Sequence, residues 1–239
     1  LPQIDNKYEV YRISLNLATS LLKKRIVATA SSKGGEIIDL KISGTNKKRN
    51  NAILKSTGEY IVLIDGDTIL HCDFIKDHIM NAEPGNFVQG KRSLISKKQT
   101  NKALIEKKIN FSFFSFGLKN RKNSIHSNLL SSIFSNDKNL LRGIKSCNMA
   151  FYKKDCINVN GFNNDFEGWG REDSEFVVRL INSGVNRKNV RFNAIQFHLW
   201  HNENPRMLLD QNDAILEQAI INQSQWCENG INSIGKNES

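Results

Sequence analysis

Gly58-Glu59-Tyr60-Ile61-Val62-Leu63-Ile64-Asp65-Gly66-Asp67 is the stretch that decides the fold. Five apolar residues in succession, Tyr60 to Ile64, read as a strand buried on both faces, and such strands belong to sheets sandwiched between helices. An α/β architecture with a mostly parallel central sheet is therefore expected. Upstream, Lys47 to Ser56 reads as a short helix stopped by Gly58. Downstream, Asp65-Gly66-Asp67 falls where the carboxyl end of such a strand opens onto the ligand crevice of α/β sheets.

Working outward, Ser14 to Lys24 carries Leu15, Leu17, Leu21 and Leu22 in the pattern of an amphipathic helix, and Glu36 to Ile42 reads as a strand. Residues 91–142 change character to a basic, serine- and asparagine-rich stretch with a phenylalanine cluster from Phe111 to Phe116, expected as a mostly helical insertion. Beyond it, Asn148 to Tyr152 reads as a strand and Gly161-Phe162-Asn163 as a turn. Glu172 to Asn182 follows as a helix whose Phe176, Val177, Leu180 and Ile181 keep helical spacing. Asn189 to Phe197 is expected as one strand leading into His198-Leu199-Trp200-His201, and Met207 to Ile221 as a closing helix.

A chain of 239 residues, 39% of them hydrophobic, can bury one sizeable core, so a single domain is expected. The formal charge of +10 favours polyanionic partners without choosing among them. Cys72, Cys147, Cys156 and Cys227 lie far apart without paired spacing, which fits neither a zinc knuckle nor a disulfide scaffold and points to a reducing cytosol. No apolar run is long enough to span a membrane, and no secretory signal opens the chain. It begins at Leu1 rather than methionine, which leaves open whether a segment precedes it.

Three groups of residues carry chemistry. Asp65 and Asp67, separated by a glycine that lets a diphosphate approach, are placed to hold a hard divalent cation, although Asp-Gly-Asp is also ordinary turn chemistry. Gly168-Trp169-Gly170-Arg171-Glu172-Asp173-Ser174-Glu175 sets carboxylates on the first turn of a helix, where the backbone N–H groups alone would favour them. That does not account for a tryptophan between two glycines, an arrangement suited to stacking a sugar ring beside a carboxylate. His198 and His201 are three residues apart, so in a regular strand they would face opposite sides. Both reach one ion only if the chain bends after Phe197; otherwise one is a ligand and the other supports or packs.

The ordered set KKRNNAI, GEYIVLIDGDTILHCDFI, SCNMAFYKKD, GFNNDFEGWGREDSEFVVRL and FHLWHNENP, running from Lys47 to Pro205, resembles the bacterial family 2 glycosyltransferases that build surface polysaccharide. The second half is also similar to the acceptor side of animal β-galactosyltransferases and chondroitin polymerases. The resemblance implies an α/β GT-A fold, a Rossmann-like, mostly parallel central sheet flanked by helices, divided into a nucleotide-sugar-binding half (1–90), the basic helical insertion (91–142) and an acceptor-binding, catalytic half (143–239). It implies Asp67 as the principal metal ligand with Asp65 near the ribose or metal, His201 and then His198 completing the metal site, and Mn2+ or Mg2+ as the ion. It further implies Asp173 as base, Glu172 on acceptor hydroxyls, Trp169 with Gly170 at the acceptor, and Arg49 and Asn50 at the nucleotide. The Pro-Thr-Tyr-Asn-like opening of these enzymes is not recognisable, and Asp39 is a candidate relic of their second strand.

The expected reaction moves a hexose or N-acetylhexosamine from a UDP-sugar donor to a glycan acceptor with inversion. Rival readings keep the nucleotide but change the chemistry, to a nucleotidyltransferase or a nucleotide-sugar hydrolase. A basic nucleic-acid-binding module has only the net charge behind it, because aromatics interleaved with basic residues on a sheet are missing, and no nucleic acid is expected as a partner. The basic, Phe-rich insertion raises peripheral contact with an anionic inner membrane leaflet, where a lipid-linked acceptor would be met, against the plainer reading of a buried helix with solvated charges. A cytoplasmic location follows from the same reasoning.

Overall fold

The computed structural model describes residues 25–31, 34–38, 46–202 and 207–234. Strand β3 (Tyr60–Asp65) lies within a seven-stranded sheet together with β1 (Arg25–Ser31), β2 (Gly34–Ile38), β5 (Asn86–Gln89), β8 (Asn136–Asp137), β9 (Asn148–Tyr152) and β10 (Asn186–Asn189), in the order β2-β1-β3-β9-β5-β10-β8. A smaller sheet orders β4 (Thr68–Leu70), β11 (Gln196–His198), β6 (Arg92–Ile95) and β7 (Leu118–Lys119) as β4-β11-β6-β7.

The apolar run of β3 is divided between two layers. Ile61 and Leu63 pack with Phe87, Met149 and Phe151, and with Ala52 and Ile53 of α1 (Asn46–Lys55), Cys156 of α5 (Lys153–Asn158) and Phe176, Val177 and Leu180 of α6 (Glu172–Asn182). Tyr60, Val62 and Ile64 face the other way, onto Val88, Ala150, Val190, Ala194 and Phe74 of α2 (Phe74–Asn81). Each such aliphatic side chain contributes about 1.5–3 kcal/mol when fully buried, so the run commits the strand to an interior position. The expected α/β layering is thus present.

The pairing inside the main sheet differs from the mostly parallel one expected. β3 runs antiparallel to both β1 and β9, β5 antiparallel to β9, and only β5 with β10 is parallel. Burial on both faces requires helices above and below a strand but leaves its neighbours' direction open, which is why the apolar run did not report it.

The expected single strand from Asn189 to Phe197 is two strands in two sheets. β10 ends at Asn189, and the chain crosses to β11 through Phe192 and Ala194, both with positive φ (62° and 51°). Both peptide groups of Ala194 are held: its N–H donates to buried Asp77 Oδ2 at 2.8 Å, and its carbonyl accepts from Asn148 Nδ2 at 2.8 Å. His126 Nε2 secures the same Asp77 carboxylate at 3.0 Å.

Residues 91–142 hold the helices α3 (Lys97–Glu106) and α4 (Asn128–Phe134), and they also give β6 and β7 to the small sheet and β8 to the large one. This segment builds a core of its own, where Phe111, Leu118 and Ile95 meet Ile69, Ile195, Phe197 and Leu199. The closing helix is α7 (Leu209–Ile221). The expected helix over Ser14 to Lys24, the strand beyond Ile38 and Asp39 lie outside the described residues. All four cysteines are free thiols, and only Cys72 is exposed. Among the described residues no helix is long and apolar enough to cross a membrane.

Candidate active site

The acidic turn and the histidine element meet because β4 and β11 pair. Thr68 Oγ1 donates to the Asp65 carbonyl at 2.8 Å, closing the turn after β3, and the chain returns as β4. β11 lies antiparallel to β4 with His198 opposite Thr68, and the Leu199 N–H donates to the Asp67 carbonyl at 2.8 Å. Regular strand structure stops at His198, so the chain bends and both imidazoles turn toward one carboxylate. His201 Nε2 lies 3.1 Å and His198 Nε2 3.4 Å from Asp67 Oδ2, with the two ring centroids 5.1 Å apart.

This donor set fits a divalent cation. Asp67 Oδ1 is buried and has no hydrogen-bond partner, a costly state for a carboxylate oxygen that a bound cation would relieve. The Nδ1 of His201 lies 2.6 Å from the Asn202 carbonyl oxygen, which can only accept, so in the neutral ring Nδ1 carries the proton and Nε2 offers its lone pair toward Asp67. Burial, and after it the neighbouring Asp65, pushes the Asp67 carboxyl up to about 6, against the pull of His201. Burial, reinforced by the Arg92 cation, pushes His198 down to about 4. At neutral pH Asp67 is therefore ionised and His198 neutral, the forms that ligate.

A cavity of about 320 Å³ adjoins this cluster through Asp65 and Arg92, and is lined further by Ser146, Trp169, Glu172 and Asp173. Asp173 sits in the first turn of α6, where Ser146 N–H donates to its Oδ2 at 3.1 Å and Ser174 Oγ to its Oδ1 at 3.4 Å. Gly168, Gly170 and Arg171 all have positive φ (70°, 111° and 73°), a run of left-handed backbone that brings Trp169 to the cavity wall with 41% of its surface exposed. Arg171 pins this loop to α7 through an ion pair with Asp213. Glu175, the last carboxylate of the motif, turns away from the cavity: it is buried in a two-pronged pair with Arg179, at 2.7 and 2.8 Å.

Arg49 and Asn50, expected at the nucleotide, are not among the cavity-lining residues. Asn50 is wholly buried, its amide donating to the Phe162 carbonyl at 2.6 Å and accepting from the Phe162 N–H at 2.8 Å. Gly161 has a φ of 69°, and a side chain there would run into Asn50 and Ile231. Arg49 stacks on the Phe162 ring (4.2 Å) and reaches Glu172 Oε1 at 3.8 Å. The polar face of α1 thus holds the turn that leads into the acidic loop.

The match of one sequence model decides the family: that of glycosyl transferase family 2 covers residues 22–155. The chain belongs to glycosyl transferase family 2. A second model, described as the N-terminal domain of galactosyltransferase, matches residues 134–202, the part that contains the acidic loop and the histidine element. Among curated proteins, none matches the chain. Membership gives a GT-A fold, a glycosyltransferase activity and a nucleotide-sugar donor with an acceptor substrate.

In this family 2 chain, sequence reasoning missed Arg92 and Ser146. Arg92 stands on β6, beside β11, and its guanidinium donates to Cys147 Sγ at 3.4 Å; Ser146 presents a main-chain N–H that no side-chain pattern reports. Reading Lys91-Arg92-Ser93-Leu94-Ile95 as alternating strand rather than as the start of an insertion would have found the arginine.

Proposed function

We propose that the enzyme is a metal-dependent, inverting transferase that moves a hexose or N-acetylhexosamine from a UDP-sugar onto a glycan acceptor in bacterial surface polysaccharide synthesis. The observation that carries this reading is the carboxylate of Asp67 facing two imidazoles beside a cavity that contains Asp173 and Trp169. Asp67, His201 and His198 would hold manganese or magnesium, a mixed oxygen and nitrogen set that suits manganese better than calcium. When bound, that ion supplies neutralisation of the charge growing on the departing diphosphate.

Trp169 offers a face for an acceptor ring, and Gly170 leaves room beside it. Glu172, steadied by Arg49, takes an acceptor hydroxyl. Asp173, oriented by the Ser146 N–H, accepts the proton of the attacking hydroxyl as its oxygen bonds to the anomeric carbon and the sugar–diphosphate bond breaks. Asp65 is assigned to the donor ribose or the metal. In this reading residues 1–90 serve the donor and 143–239 the acceptor, with 91–142 between them, and the acceptor is lipid-linked and met at the cytoplasmic face of a membrane.

The test is a screen of UDP-sugars with manganese and a mixed glycan acceptor pool. Acceptor-dependent release of UDP is expected. Pyrophosphate release would convert the reading to a nucleotidyltransferase, and free sugar without acceptor to a hydrolase.

A further inference from the structure

We propose that the loop from Phe111 to Gly117 is a membrane-contact tip that docks this protein onto an anionic lipid surface. The loop is held at both ends. Phe111 is buried against Phe197, ring centroids 5.4 Å apart, and Gly117 accepts a hydrogen bond from the Ser96 N–H at 2.9 Å just before β7. Between these anchors Ser112 and Ser115 close a turn, Ser115 N–H to the Ser112 carbonyl at 3.0 Å and Ser112 N–H to Ser115 Oγ at 2.9 Å. What this braced turn presents outward is apolar: Phe114 is 86% and Phe116 78% exposed. Holding such rings in water is unfavourable unless they meet another apolar phase.

The rim supplies the second signal. Lys108 lies over the Phe111 ring at 5.3 Å and Arg121 over Phe113 at 5.9 Å, while Lys107, Lys119 and Lys122 are exposed around the same turn. From Lys97 to Lys122 the chain carries eight lysines and arginines against one glutamate, a large part of the protein's net charge. Protruding aromatics ringed by cations match the acyl boundary and headgroups of an anionic bilayer, where apolar burial and electrostatic attraction add. A second copy of this chain would bring an equally cationic face and be repelled. Single-stranded nucleic acid is gripped by aromatics laid flat on a sheet, whereas these sit at the apex of a turn. Helix α3 ties the tip to the candidate active site: Thr100 Oγ1 accepts from the Trp200 N–H at 2.9 Å, and Lys97 lies over the Trp200 ring at 4.4 Å, next to His201. The inference stands on this surface and is independent of the transfer chemistry.

The experiment is co-sedimentation of the full chain with phosphatidylcholine vesicles, with and without phosphatidylglycerol as a third of the lipid. Salt-sensitive binding to the anionic vesicles alone is expected. The Phe114→Ser/Phe116→Ser double variant should reduce the partition coefficient about tenfold or more, and Lys119→Glu/Lys122→Glu should remove the preference for anionic lipid. Both variants should keep the wild-type melting temperature and transfer to a soluble acceptor. Absence of vesicle binding, equal binding by the double Phe variant, or salt-sensitive capture of single-stranded RNA without vesicle binding would each overturn the proposal. Absence of soluble transfer by the wild-type chain would overturn the donor and acceptor proposed above and leave the vesicle result standing.

Discussion

The Nε2 of His201 lies 3.1 Å from Oδ2 of Asp67, a contact between the two halves of the chain made possible by the pairing of β4 with β11. Two groups that both carry lone pairs are held at that separation by a proton or by a cation between them. The first prediction follows: Asp67→Asn and His201→Ala each weaken manganese binding by more than the roughly 10–100-fold that loss of an outer-shell partner costs. Isothermal calorimetry on the isolated protein measures this, and unchanged affinity would remove the residue from the ligand set.

The pH dependence of that binding has a defined sign. With its carboxyl pushed up to about 6 by burial, Asp67 is mostly protonated below that pH and must lose a proton to ligate. Manganese affinity should fall as pH drops through 6, by at least about tenfold per unit well below it, since Asp67 alone contributes one proton per ion. His198, pushed down to about 4, remains neutral throughout this window and does not add to the slope. At pH 6 at least half a proton, the share of Asp67, should be released per ion bound, read as a buffer-dependent calorimetric enthalpy; a pH-independent affinity from 5 to 7 would contradict the assignment.

Asp173→Asn should lower transfer by roughly 10²–10⁴-fold, the usual worth of general-base help, while manganese-dependent UDP binding stays near wild type. Retained turnover with normal donor binding would place the base elsewhere in the cavity.

Arg49 separates two readings of one residue. The resemblance puts it at the nucleotide, whereas the structure stacks it on Phe162 and aims it at Glu172. Arg49→Met, which keeps much of the stacking volume, should raise the acceptor KM several-fold and leave the donor KM unchanged. A selective rise in donor KM would restore the nucleotide role.

Much of this was legible in the residues. The apolar run of β3, the helix over Glu172 to Asn182 and the strand over Asn148 to Tyr152 stand where periodicity and stop signals put them, because each is set by local pattern and by the need to bury one face. The acidic turn after β3 and the Gly-Trp-Gly loop were likewise visible, the loop because the left-handed backbone found at Gly168 and Gly170 favours glycine.

What tertiary structure alone decided concerns partners rather than elements. Spacing left open whether His198 and His201 face one ion; the end of β11 at His198 and its pairing with β4 turn both toward Asp67. A strand pattern ran unbroken from Asn189 to Phe197, yet Asp77 and Asn148 grip the two peptide groups of Ala194 and send the chain to a second sheet. The resemblance put Asn50 at the nucleotide, while its hydrogen bonds in the fold go to the Phe162 backbone. A hydrogen bond between distant residues leaves no periodic trace along the chain, because its energy depends on where folding delivers the partner and not on what stands beside it in sequence.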